Sequence, residues 1–174
     1  APALGLMVMN KFGFRPLFVI TSISAVIALL IGVTIKNRSY HLSEKPLKIS
    51  ELFEKDSVPA SITQFFFMMA YGVIEVYVAI YAKNSNLPSG GVYFIFIAIA
   101  TVLTRILMGK VVDRKGEGIM VYTGNASIFL GIMLLVFLHN APCYILSALL
   151  LGYSFGAIQP SLQTMSMHIV APDR

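Results

Sequence analysis

Apolar residues in this chain fall in long unbroken blocks, and the charges are gathered in the gaps between them. Crossing a hydrocarbon layer as a helix takes about 20 residues. The blocks of that length are Pro16 to Ile35, Val58 to Ala82, Gly91 to Met108, Ile119 to Leu138, and Cys143 to about Val170. They predict five membrane-spanning helices. Ala1 to Met9 is also apolar but too short to span, and it reads as the tail of another helix. Pro16 suits a first helical turn, where no amide partner is lost. Pro160 lies inside the last block and is expected to kink it, because it removes a backbone donor.

The gaps predict turns at Asn10 to Pro16, Lys83 to Gly90, Gly109 to Gly118 and His139 to Pro142. The longest gap is Lys36 to Ser57. It interleaves Leu47, Ile49, Leu52 and Phe53 with charges, as either an amphipathic helix on the membrane surface or a solvated linker does.

Composition sharpens this into a membrane protein. Residues are 57% hydrophobic and only 12% charged, where a soluble domain carries roughly a quarter charged. Mean hydropathy is +0.79. The net charge of +5 sorts by side. With loops alternating across the bilayer, nine Lys/Arg fall on the side of Lys36–Ser57, Gly109–Gly118 and Arg174, and three on the other. The basic-rich side is expected to be cytoplasmic. Nucleic-acid binding would need those charges on one soluble face, so no nucleic-acid partner is expected. The single Cys143 permits no internal disulfide. No nucleophile–base pair, phosphate-cradling loop or metal-ligand cluster appears, so neither enzyme activity nor a cofactor or metal is expected. The chain opens without Met inside apolar sequence and ends abruptly, and is expected to be a fragment whose partners include missing helices.

Polar residues inside the spans are the candidate chemistry. Gln64, Met68, Tyr71 and Glu75 lie at helical spacing on one face, a stripe suited to lining a cavity. A carboxylate within a bilayer is costly unless it faces a cavity or a partner. Glu75 is therefore either a proton-binding group or a hydrated residue near the outer interface. Gln159 and Gln163 share a face with Gly152 and Gly156. That face is expected to point inward, with the glycines allowing close packing and the amides binding substrate or holding helices together. Arg105 is expected to pair with a carboxylate such as Asp113 or to extend to the headgroups. Asn125 is expected to hydrogen-bond between helices, His168 to sit at the interface, and Tyr71, Tyr77 and Tyr153 to pack or to stack on substrate.

The segment Gly109-Lys-Val-Val-Asp113-Arg114-Lys-Gly116 resembles the G-x-x-x-D-R/K-x-G signature of the major facilitator superfamily. Where that pattern usually ends in two basic residues, this chain has Glu117 and Gly118. Ala1-Pro2-Ala3-Leu4-Gly5 resembles the end of the G-P-x-x-G motif in the fifth helix of antiporter branches. Gly152 to Gln163 resembles the Gly-rich tenth helix. The resemblance implies an all-α polytopic helical membrane bundle, a partial major facilitator fold. It implies residues 1–35 as the end of the N-terminal half, 36–57 as a cytoplasmic inter-half loop, and 58–174 as helices seven to ten.

It also implies a multi-pass transporter of the plasma (inner) membrane, most like drug- and sugar-efflux permeases that exchange a small molecule for protons. Gly109, Asp113, Arg114 and Gly116, with Arg105, would form a conformational-gating turn. There Gly109 allows close helix approach, Gly116 a tight turn, and Asp113 accepts hydrogen bonds. Glu75, Tyr71, Gln64, Gln159 and Gln163 would line the proton and substrate pathway. Nutrient uptake, or a non-transporting membrane sensor or assembly protein, are the alternatives.

Overall fold

The computed structural model describes residues 2–34 and 57–169, apart from the side chains at 110, 113 and 167–169. These residues form six helices: α1 (Pro2–Phe12), α2 (Phe14–Thr34), α3 (Val58–Asn84), α4 (Gly90–Lys115), α5 (Gly118–Phe137) and α6 (Ala141–Ile169). Among the described residues there is no strand, and five helices are long and apolar enough to cross a membrane. The all-α membrane bundle expected from the sequence is what forms. The gap Lys36 to Asp56 lies outside the described residues, as do Ile35 and Val170.

Two compact units result, Ala1–Phe53 and Glu54–Arg174. In the first, α1 and α2 form a hairpin. The turn expected over Asn10 to Pro16 shrinks to one residue, Gly13, at φ +81°. Its N–H donates to the Met9 carbonyl at 2.9 Å, closing α1 with a left-handed glycine. Asn10, Lys11 and Phe12 extend the helix because nothing in them stops it. Pro16 still falls in the first turn of α2.

In the second unit α6 is the hub. Half of its spanning window is buried, against 17% for α3. The helices α4 and α5 each lie along α6 and barely touch one another, while α3 borders α6 and α4. Glycine makes the close approach to α4 possible. A Cβ on Gly152 would sit 2.4 Å from the Ile97 carbonyl oxygen and 2.6 Å from Ala100 Cβ; one on Gly156 would sit 2.9 Å from Thr104 Cβ. The close-packing role expected for this pair is what they perform.

Hydrogen bonds then tie the helices together. Thr101 Oγ1 donates to the Gly152 carbonyl at 3.0 Å, Ser127 Oγ to that of Leu150 at 2.9 Å, and Tyr81 OH to that of Leu135 at 3.0 Å. Tyr93 and Ser147 share a buried bond of 3.0 Å. Bonds of this kind average about 0.6 kcal/mol in a bilayer, so packing at the glycines dominates. Asn125 does not join this set. Its amide donates to the Val121 carbonyl of its own helix at 2.9 Å, the carbonyl one turn back that a short polar side chain in a helix can reach.

The charged segment is the main difference from expectation. Gly109 to Lys115 is helical and makes the last turns of α4, and only Gly116 and Glu117 separate α4 from α5. A lone Gly does not end a helix that Val111 and Val112 continue. The stop comes at Gly116, with φ 77° and ψ 168°, a conformation essentially restricted to glycine. Its N–H donates to the Val112 carbonyl at 2.8 Å. The tight-turn role expected of Gly116 holds.

Candidate functional site

A groove of about 680 Å³ runs between the first half of α3 and the last half of α6. From α3 it is lined by Ser61, Gln64 and Met68, and from α6 by Leu162, Gln163 and Ser166. No charged residue lines it. The Gln64 side-chain oxygen is buried without a hydrogen-bond partner among the described residues, and so is that of Gln159, one turn before Gln163 on α6. A buried acceptor left unpaired costs roughly 1–3 kcal/mol, so both amides are poised to pair with a polar group arriving from outside this set.

One turn beyond Met68, Tyr71 stacks on Phe155 of α6 with ring centroids 4.8 Å apart. Phe67 flanks both rings, at 6.1 Å from Tyr71 and 6.5 Å from Phe155. This aromatic block sits next along the helices from the groove. One turn farther, Glu75 is exposed. At 100° per residue it lies within about 40° of Gln64 and Tyr71 around α3. The exposed apolar stripe of α3, including Ile62, Phe66, Met69, Val73 and Val76, is centred about 140° away. Glu75 therefore faces away from the side of α3 suited to lipid.

A second cleft, of about 280 Å³, opens at the end of α4. Arg105, Gly109, Val112 and Glu117 meet Pro160, Ser161 and Thr164 of α6 there. The Ser161 hydroxyl is buried without a partner among the described residues. Arg105 and Arg114 are exposed. The Asp113 side chain lies outside the described residues, and so does the pairing with Arg105 expected for it.

The sequence profile of the Major Facilitator Superfamily matches residues 1–174. The chain belongs to the major facilitator superfamily. No curated protein matches it. The superfamily is one of membrane transporters and not of enzymes, in keeping with a multi-pass helical chain.

In this facilitator chain, the residues read from the sequence as a pathway separate into three environments. Gln64 and Gln163 come together in the groove. Tyr71 is held in an aromatic stack, and Gln159 is part-buried one turn after Phe155 on α6. Glu75 shares their side of α3 but lines neither cleft. The motif reading changes at Gly109. Nothing among the described residues lies within 4 Å of where its Cβ would be, so no close approach within this unit requires glycine there. The close contacts fall instead at Gly152 and Gly156 of α6.

Sequence reasoning missed Phe155 and Ser161. Phe155 had a usable signal, since it precedes Gln159 by four residues and so shares its face. Tyr153 bonds to Thr123 at 2.9 Å and Tyr77 is exposed, so neither joins the groove. The side chain of His168 lies outside the described residues.

Proposed function

We propose that this chain is the middle of a proton-coupled exporter of a small amphipathic molecule in the plasma (inner) membrane, working by alternating access. In this reading α1 is the end of helix five, α2 is helix six, and α3 to α6 are helices seven to ten. The carrying observation is the α3–α6 groove. Its walls are apolar, its lining uncharged, and Gln64 and Gln163 present amides from two different helices. Such a lining suits a molecule with a large apolar body and a few hydrogen-bonding groups. The aromatic block of Phe67, Tyr71 and Phe155 closes one end of that path.

Glu75 is the proton-binding group of this reading. It supports the role by lying on the groove side of α3 and away from the lipid-suited stripe. The helical end of α4 with Arg105, Asp113, Arg114 and Gly116 is the gate, set against the Pro160 turn of α6. The test is flux by the full-length transporter in oriented vesicles. Accumulation inside everted vesicles, driven by a proton gradient, is expected. Accumulation inside right-side-out vesicles identifies an uptake carrier instead. Glu75→Gln, inserted normally, is expected to lose gradient-driven accumulation while keeping downhill exchange. Unchanged coupling refutes the role given to Glu75.

A further inference from the structure

A third cavity lies away from the transport path. Because α4 and α5 both rest on α6 but hardly touch each other, they leave a wedge of about 550 Å³ between them. The wedge runs along α4 from Ala100 to Lys115, bounded by Ile119 and Thr123 of α5 and floored by Leu149 and Tyr153 of α6. Its walls are apolar, and the hydroxyls of Thr123 and Tyr153 bond each other at 2.9 Å. Leu103 and Leu107, on the open flank, are more than half exposed. Lys115 stands at the end where α4 turns into α5, and no acidic residue lines the wedge.

We propose that the wedge binds one acyl chain of an anionic phospholipid, with the lipid phosphate held at the Lys115 ammonium. Size argues for a lipid tail over a protein helix. The wedge extends along about 22 Å of α4, and a helix about 10 Å across and that long fills on the order of 1,700 Å³. A methylene is about the size of a water, whose share of volume is about 30 Å³, so a 16-carbon tail fills on the order of 500 Å³. The length also fits, since one leaflet of hydrocarbon is about 15 Å deep.

Charge selects the headgroup. The motif end of α4 belongs to the side assigned to the cytoplasm by loop charges, where anionic lipids favour a nearby Lys by about five-fold in binding. Lys115 fills a position that the family signature leaves open, so this site is separable from the gate.

The chain contains no Trp, and any Trp of the full-length protein outside it is first replaced by Phe. Leu149→Trp places a fluorophore on the wedge floor, and the full-length protein is reconstituted in vesicles. Phosphatidylglycerol brominated on its acyl chains is compared with brominated phosphatidylcholine as quencher. The anionic lipid is expected to compete about five-fold better for the wedge, and Lys115→Gln is expected to bring the ratio to one. Phe129→Trp, on an exposed part of α5, is expected to show no preference with either residue at 115. Should Leu149→Trp fail to fold, Leu107→Trp on the wall gives the same readout. Equal quenching by both lipids, or a preference that survives Lys115→Gln, overturns the proposal. Absence of quenching by either lipid also overturns it, and shows that another protein segment covers the wedge.

Discussion

Gly152→Ala is a single added methyl aimed at a backbone. Its Cβ would stand 2.4 Å from the Ile97 carbonyl oxygen, 2.6 Å from Ala100 Cβ and 3.0 Å from Ile97 Cα. None of these is the end of a flexible side chain, so relief requires α4 and α6 to part. Reaching an ordinary contact of about 3.5 Å means a displacement on the order of 1 Å. Overpacking of this kind costs about 1–3 kcal/mol. The bond from Thr101 Oγ1 to the Gly152 carbonyl stretches with it, adding about 0.6 kcal/mol. A loss of about 2–3 kcal/mol is therefore expected.

Gly156→Ala meets Thr104 Cβ at 2.9 Å and the Thr101 carbonyl oxygen at 3.0 Å, and is expected to cost about 1 kcal/mol. Gly72 has nothing within 4 Å of its Cβ position. Alanine there is expected to gain about 0.5–1 kcal/mol, since glycine weakens a helix by that much. The assay is unfolding of the full-length protein by SDS in mixed micelles, followed by labelling of the half-buried Cys143 thiol. The stability order Gly72→Ala, wild type, Gly156→Ala, Gly152→Ala supports the glycine contacts. A Gly152→Ala protein within 0.5 kcal/mol of wild type, a margin of the size surface changes produce, refutes them.

Two further substitutions probe the helix ends. Gly116→Ala is expected to cost about 1–3 kcal/mol, and Gly116→Asn is expected not to rescue it, because ψ 168° lies outside the left-handed helical region that Asn tolerates; the same SDS titration reads both. Asn140 Oδ1 accepts the Cys143 N–H at 3.0 Å and caps α6, so Asn140→Ala is expected to cost about 1 kcal/mol and to raise the labelling rate of Cys143 under native conditions.

The spans were legible because hydrocarbon demands an apolar surface over a fixed length. Block edges at Val58, Gly91, Ile119 and Leu138 fall within two residues of the helix ends at Val58, Gly90, Gly118 and Phe137. The Gly152–Gly156 contact was legible for a related reason, since small residues four apart mark one close-packed face. The end of α4 was not legible, because a charged, Gly-bounded segment suits a turn as well as a helix end. Charges on Lys110, Asp113, Arg114 and Lys115 are compatible with a helix leaving the membrane, and backbone geometry at Gly116 sets the boundary. Side-chain partners were also hidden. Nothing in the local sequence says that Asn125 bonds to its own helix, or that Tyr71 meets Phe155. Those depend on how α3, α5 and α6 rotate against each other, which is fixed by all their contacts at once.

The central place of α6 has a consequence for biosynthesis. A ribosome releases α4 and α5 as a pair whose members scarcely contact one another, before the helix that joins them exists. In that interval the niches at Gly124 and Gly131, later filled by Ile158 and Leu151, face lipid, and the Ser127 hydroxyl has yet to meet the Leu150 carbonyl. Insertion of α6 supplies both surfaces in one step. Packing of α4 with α5 therefore waits for α6, and damage to α6 leaves two correctly inserted helices with little to hold them together.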